Sequence, residues 1–273
     1  MSEMSSPAVS HGVTVRLLRL GLPDVTALMA VERDSLNDSH YAPEQALVLL
    51  RRPGRWVHLA CDGEDAVGFC FSFATHDENG PRLEIDMLGV RPSHRRRGLA
   101  SRLIAAALAN GRARGIVHAR GVVACENVGS RRAFQAAGMV VGGQTELLAY
   151  DLLGAASQSY LPVGWTCAEE PTAHDPDTVQ ATLRDNSGLS RGGARWLRVH
   201  TLSYTGIWIE ALWAADAQSS ALLSRAAVER AKQEGLDEAG ILWPTGRDEP
   251  ARQAWLRQGY ERVGDYDLIE TTP

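Results

Sequence analysis

The period of apolar positions changes repeatedly along the chain, and each change marks an element. Partial alternation over 13–20 predicts an opening strand. Pro23 and Asp24 start a helix that continues through Met29 and Val31 to a polar patch at 34–41. Pro43 opens a second helix, closed by Arg51-Arg52-Pro53-Gly54. Strands follow at 56–61 and 66–74 around the turn 62–65, and a further turn is expected at 76–81. A strand over 84–90 is stopped by Arg91 and Pro92, because proline lacks a ladder donor and restricts the residue before it. An alanine-rich helix then runs towards Gly111, followed by a strand at 117–124, a helix at 130–137 and a closing strand at 145–152.

The junction between the 84–90 strand and the alanine-rich helix carries the first sign of chemistry. A basic turn, Arg95-Arg96-Arg97-Gly98, meets the start of the helix, where unpaired N–H groups and the positive end of the dipole attract anions. Gly98 lets backbone approach a ligand closely. Phosphate binding is the direct physical reading of this turn.

The spacing Arg95-x-x-Gly98-x-Ala100 resembles the R/Q-x-x-G-x-G/A signature of the GNAT superfamily of acyl-CoA-dependent N-acetyltransferases. The preceding Leu88-Gly89-Val90 strand end, and Asn127-x-x-Ser130-x-x-x-Phe134-x-x-x-Gly138-Met139 beyond it, strengthen the resemblance. It implies a mixed-sheet α/β fold with acetyl-CoA as co-substrate. It places Arg95, Arg96, Gly98, Leu99, Ala100 and Ser101 at the pyrophosphate. Leu88, Gly89 and Val90 would pair with the pantetheine arm, with the Leu88 N–H as oxyanion donor. Asn127 matches a CoA-contacting asparagine and is equally a helix N-cap. Phe134 stands where the family commonly has a tyrosine that protonates the departing thiolate, and it cannot donate a proton.

Transfer to an amine needs a base, since an ammonium ion has no lone pair. Glu84 and Asp86, two apart on one strand, share a face. Glu84 occupies the position of the catalytic glutamate in histone-type members of the family and is the first candidate; Asp86 is the second, or the group that holds the acceptor. The competing reading is a structural ion pair with a nearby arginine. Asp34, Asp38 and Tyr41 in the polar patch are candidates for binding the acceptor. A small-molecule amine is the expected acceptor, with a peptide amine, or a non-catalytic acyl-CoA sensor, as alternatives.

At 273 residues the chain suits two modest domains. After a lead at 1–12 and a domain at 13–153, the small polar stretch 154–164 reads as a linker to a second domain at 165–273. That half resembles a degraded copy at an offset of about 120 residues. A strand at 204–214 and a helix at 220–234 fall in the places of the central strand and phosphate helix, and the stretch 248–260 repeats the 127–139 pattern. Counting back from Gly235 puts Gln218 where Gly98 sits and Ala215-Asp216 in the arginine run, so the second copy is expected to bind no CoA. The chain is expected to be a monomer with an internal pseudo-dimer, or a homodimer.

A net charge of −5 argues against non-specific nucleic-acid binding. No apolar run is long enough to span a bilayer, and the first residues lack a signal-peptide pattern, so a cytoplasmic location is expected. Cys61, Cys70, Cys125 and Cys167 have no zinc-site spacing, which predicts reduced thiols and no metal.

Overall fold

The computed structural model describes residues 12–37, 39, 41–77, 79–153, 161–172, 175–246 and 248–271. The lead at 1–12 (save Gly12), most of the expected linker, and Asp38 therefore lie outside the described residues. The first half contains β1 (Thr14–Leu17), α1 (Leu22–Ser35), α2 (Pro43–Leu50), β2 (Arg55–Asp62), β3 (Asp65–Asp77) and β4 (Gly80–Val90). It continues with α3 (Leu99–Arg112), β5 (His118–Ala124), α4 (Val128–Ala136) and β6 (Met139–Asp151). The second half contains β7 (Thr166–Pro171), β8 (Thr178–Arg184), β9 (Ser190–His200), β10 (Thr205–Ala214), α5 (Ala217–Gln233), β11 (Glu238–Pro244), α6 (Glu249–Arg257) and β12 (Glu261–Thr271).

The expected mixed α/β architecture is present, with local corrections. The turn expected at 76–81 is mostly strand, because β3 and β4 pair out to Asp77 and Gly80 and close in a tight hairpin. The closing strand starts at Met139, just after α4, so it begins six residues earlier than the alternation at 145–152 suggested. The helix expected at 220–234 starts earlier, at Ala217. The three strands β7 to β9 carry no expectation from the sequence.

All strands form one twelve-stranded sheet in the order β1-β2-β3-β4-β5-β12-β6-β11-β10-β9-β8-β7. This order is a palindrome once β1–β6 are matched with β7–β12. Its centre is the antiparallel pair β6–β12, with Tyr266 opposite Thr145. Each half gives its last strand to the other: β12 pairs with β5, and β6 pairs with β11. The boundary expected at 153 is thus a boundary in sequence only, since the ladder runs across it.

Helices cover the sheet unevenly. On one face α3 and α4 bury Leu103, Ile104, Ala107 and Phe134, while α5 and α6 bury Leu222, Leu223, Ala227 and Trp255. On the other face α1 and α2 pack Val25, Leu28 and Leu50 against Phe69, Phe71 and Phe73. Leu197, Val199 and Leu202 of the second half enter that same cluster. Among the described residues the second half has no helix pair between its first two strands, β7 ending at Pro171 and β8 starting at Thr178. Its inner face is consequently free to lie over the first half.

Candidate active site

A β-bulge sets the geometry of the site. Between β3 and β4 the register passes from Phe71 opposite Met87 to Ser72 opposite Ile85, leaving Asp86 as the extra residue. A bulge bends its strand and re-aims a side chain. The consequence is visible on the other edge of β4: pairing with β5 stops at Ile85 opposite Gly121, and the strands splay beyond it. The Arg91 N–H donates to the Val67 carbonyl across the β3 side. Alternation of backbone direction then turns the polar groups of Leu88 and Val90 towards the open edge. Consistently, the Val90 carbonyl accepts from Arg95 Nε at 3.0 Å.

The turn beyond β4 is shaped to receive an anion. Arg96 and Gly98 both have left-handed backbone, with φ of 62° and 72°. Gly98 is the N-cap of α3 and supplies no side chain to the first N–H groups of the helix. Those donors and the dipole face a cavity of about 670 Å³ lined by Leu88, Gly89, Val90, Arg95, Arg96, Gly98, Leu99, Ala100, Ser101 and Asn127 among others. Gly89 is required by packing, because a Cβ there would collide with Ser35 Oγ and the Phe69 ring. Asn127 caps α4, its Oδ1 accepting from the Ser130 N–H at 3.0 Å.

Two further cavities continue from this one. A space of about 200 Å³ occupies the splay and is lined by Asp86, Leu88, Val122, Asn127, Ser130 and Phe134. Phe134 is buried, its ring lying where a side chain at Gly121 would be. Through Ile85, Asp86 and Val122 this space adjoins a cavity of about 520 Å³ between the halves. That cavity is walled by Phe73, Tyr204, Trp208, Glu210, Glu238 and Tyr266. Asp86 therefore stands at the junction of the splay and the cavity between the halves.

Glu84 is placed differently from the base expected of it. Its Oε1 accepts from Arg82 Nε at 2.6 Å, Thr75 Oγ1 at 3.1 Å and Arg120 Nη2 at 3.1 Å, and its Oε2 accepts from Arg120 Nε at 3.0 Å. Glu210 of β10 bridges the same two arginines at 2.7 and 2.8 Å, and Asp77 completes the cluster at 2.7 Å from Arg82. Burial alone would raise the Glu210 carboxyl, but Arg120 and Arg82 pull it down to about 2. The Glu84 carboxylate thus accepts four hydrogen bonds, three of them from two guanidinium groups, which is the structural ion pair.

The other sequence candidates separate. Asp34 lies half exposed on α1 and pairs with Arg91 at 2.9 Å, outside these cavities. Tyr41 packs beside the α1–α2 core, its hydroxyl pKa raised by burial and by Asp237, and it lines none of the three cavities. Glu238, Tyr204 and Trp208 were missed, because they lie far along the chain in a half read as having lost its chemistry. Arg82 and Arg120 were legible in part, since Arg82-x-Glu84 share a strand face.

Residues 24–139 match the acetyltransferase (GNAT) family. The segment is similar to that family. Among solved structures, the GCN5-related glucosamine N-acetyltransferase region of a fungal multi-domain β-N-acetylglucosaminidase is 15% identical with a TM-score of 0.63, covering 98% of this chain and 39% of that one. A GCN5-related N-acetyltransferase from Sphaerobacter thermophilus is 14% identical with a TM-score of 0.59, covering 95% of each chain. A tandem GNAT protein from the clavulanic acid biosynthesis pathway is 13% identical with a TM-score of 0.59, covering 96% of this chain and 99% of that one. At such identities the shared property is the fold. Comparison with curated proteins by sequence gives no match. Among the described residues no group of histidine, cysteine and carboxylate side chains is arranged to hold a metal, and no helix is long and apolar enough to cross a membrane.

Proposed function

We propose that the protein is an acetyl-CoA-dependent N-acetyltransferase acting on a small-molecule amine, with its first half as the catalytic GNAT domain. The observation that carries this reading is a run of three adjoining cavities, from the turn through the splay to the space between the halves, with Leu88 and Asn127 lining the first two and Asp86 the last two. Acetyl-CoA fits the first two and would supply an activated acyl carbon. The turn residues Arg95 to Ser101 would hold its pyrophosphate, with Arg96 and Gly98 presenting backbone N–H groups. The open edge of β4 would pair with the pantetheine arm, and the Leu88 N–H would receive the developing oxyanion.

Asp86 is the base we favour over Glu84, because it lines both the splay and the adjoining cavity while Glu84 is committed to two guanidinium groups. The ammonium gives one proton to Asp86, the freed amine adds to the thioester carbon, and as the C–S bond breaks the second nitrogen proton passes through water to the departing thiolate. Phe134 has no part in that last step. A thiol is acidic enough to leave without a tyrosine.

The second half is a GNAT-like copy that binds no CoA. The palindromic strand order supports the copy, and the cap of α5 supports the loss. Asp216, not Gln218, stands where Gly98 stands, and its Oδ1 accepts from the Ser219 N–H at 2.7 Å. The helix end is already satisfied and carries an acid. On this reading the chain is an internal pseudo-dimer, and the second half closes the acceptor cavity in place of the 34–41 loop. A space of about 520 Å³ between the halves suits a small molecule better than a peptide chain.

Released thiol, measured across a panel of amines with wild type, Asp86→Asn and Glu84→Gln, tests the proposal. We expect amine-dependent release to fall by about 10²- to 10⁴-fold in Asp86→Asn, with acetyl-CoA affinity kept. Tight acetyl-CoA binding without release for any amine would favour the sensor reading, and no binding at all would remove the turn assignment.

A further inference from the structure

The cavity between the halves contains four carboxylates, and their partners divide them into two kinds. Glu84 and Glu210 are neutralised by Arg82 and Arg120. Glu238, at the start of β11, forms no ion pair with an arginine or lysine among the described residues, although it is largely withdrawn from water. Burial pushes its carboxyl up to about 7, against partial relief from the Trp208 indole N–H, and Asp237 and Asp151 push the same way. A buried carboxylate without a cation leaves its desolvation uncompensated, so a cationic ligand group is the species that satisfies it.

Asp86 and Glu238 are neighbours of one ring. The Tyr204 hydroxyl is held well above its ordinary range by burial first, and then by both Asp86 and Glu238. Asp86 adjoins the splay, whereas Glu238 lines only the cavity between the halves. Between them the wall presents Tyr204, Trp208 and Tyr266, faces suited to methylene groups and to ammonium ions by cation–π attraction.

We infer that the acceptor is a short alkyl diamine, one amino group being presented to Asp86 for acylation while the second is held as an ammonium ion by Glu238 of the second half. The inference rests on the transferase reading of the same cavity. It assigns the second half a role in specificity. Glu238 is a positioning residue: it selects the acceptor and takes no part in the chemical step.

The experiment compares 1,4-diaminobutane with n-butylamine, using the full chain, its Glu238→Gln variant and an Asp34→Asn control. Acetyl-CoA affinity is first measured by calorimetry for each. Wild type should prefer the diamine in kcat/KM by about tenfold or more, the effect of one charge-assisted contact. Glu238→Gln should bring the diamine down to the monoamine level with acetyl-CoA affinity kept, while Asp34→Asn keeps the wild-type preference for the diamine. Equal use of the two amines by wild type, or a preference that survives in Glu238→Gln, would overturn the inference while leaving the transferase reading intact. If acetyl-CoA does not bind, the transferase reading fails, and calorimetric binding of the diamine over the monoamine still decides the inference.

Should Glu238→Gln fail to fold, the pH dependence of wild type replaces it. The groups facing Glu238 are Asp237, Asp151, Tyr204 and the Trp208 indole, with Asp86, Arg120 and Glu210 elsewhere on the cavity wall. A carboxyl that ionises near pH 7 makes the diamine-over-monoamine affinity ratio rise roughly tenfold from pH 6 to pH 8. A ratio that stays flat over that range would overturn the inference.

Discussion

The two halves repeat one strand order but treat two corresponding positions in opposite ways. The first position is the bulge. β4 skips Asp86 in its pairing with β3, and β10 skips Glu210 in its pairing with β9, each one residue past the last parallel pair. Asp86 lies at the junction of cavities, whereas Glu210 reaches across to Arg82 and Arg120 of the other half. The second position is a helix N-cap. Gly98 leaves the first N–H groups of α3 open, whereas Asp216 closes those of α5 with its own carboxylate. The same backbone plan thus leaves a helix start open to a cavity in one half and closes it with a side chain in the other. The difference is carried by a few side chains.

The cross-half clamp is the place to break this comparison most severely. Arg120→Ala leaves Glu84 and Glu210 buried against Arg82 alone, and removing one member of such a network costs about 3–5 kcal/mol. Denaturant unfolding should register a loss of that order. A loss below about 1 kcal/mol would mean that the clamp contributes little to holding the halves.

Giving the first half the cap of the second is the next test. Gly98→Asp places a carboxylate at the open N-terminus of α3, in a backbone conformation with φ of 72° that aspartate tolerates better than most residues. Calorimetry should show acetyl-CoA affinity falling by roughly a hundredfold, from lost anion attraction and added repulsion. Unchanged affinity would separate the turn from CoA binding.

Acid should weaken both halves through a buried histidine in each. Burial, and then Arg114, lowers His58 to about 4; burial, and then Arg52, lowers His200 to about 4. Because the folded pKa lies below the unfolded value of 6.5, this stability is complete above pH 6.5 and is lost as pH falls towards 4. His58→Gln should flatten part of that loss, about 2 kcal/mol over this interval, in unfolding measured against pH.

The smallest effect is the converse cap exchange. Asp216→Gly should cost only a few tenths of a kcal/mol. It should give the second half no acetyl-CoA affinity, since no arginine run flanks α5. Binding gained by this change alone would show that the acid was the sole obstacle.

The legible parts of the site were those confined to one stretch of chain. Arg95 to Ala100 announced an anion turn because a glycine, a basic run and a helix start are local signals. Asn127 announced a cap by its place before α4. The role of Glu84 was not decidable in this way. Its spacing from Asp86 puts both on one face, but whether a carboxylate is a base or half of a clamp depends on its neighbours. Arg120 comes from the adjacent strand and Glu210 from the other half. Asp34 lies outside the cavities for a related reason: a polar patch states exposure, and a patch can face away from a cavity.

The sequence by itself determined the order and type of most elements in the first half, and the basic, glycine-containing turn at the start of α3. These follow from hydrophobic period, proline and glycine stops, and charge at a helix start, all short-range properties. Only the tertiary structure decided that the last strands are exchanged, that Asp86 lies at the meeting of the cavities, and that Glu238, Tyr204 and Trp208 belong to the same site. Those facts depend on ladder pairing between residues more than ninety positions apart, such as Leu148 with Ile241 and Val123 with Asp267. No local pattern encodes such pairing, because either half could satisfy its edges in more than one way until both are folded together.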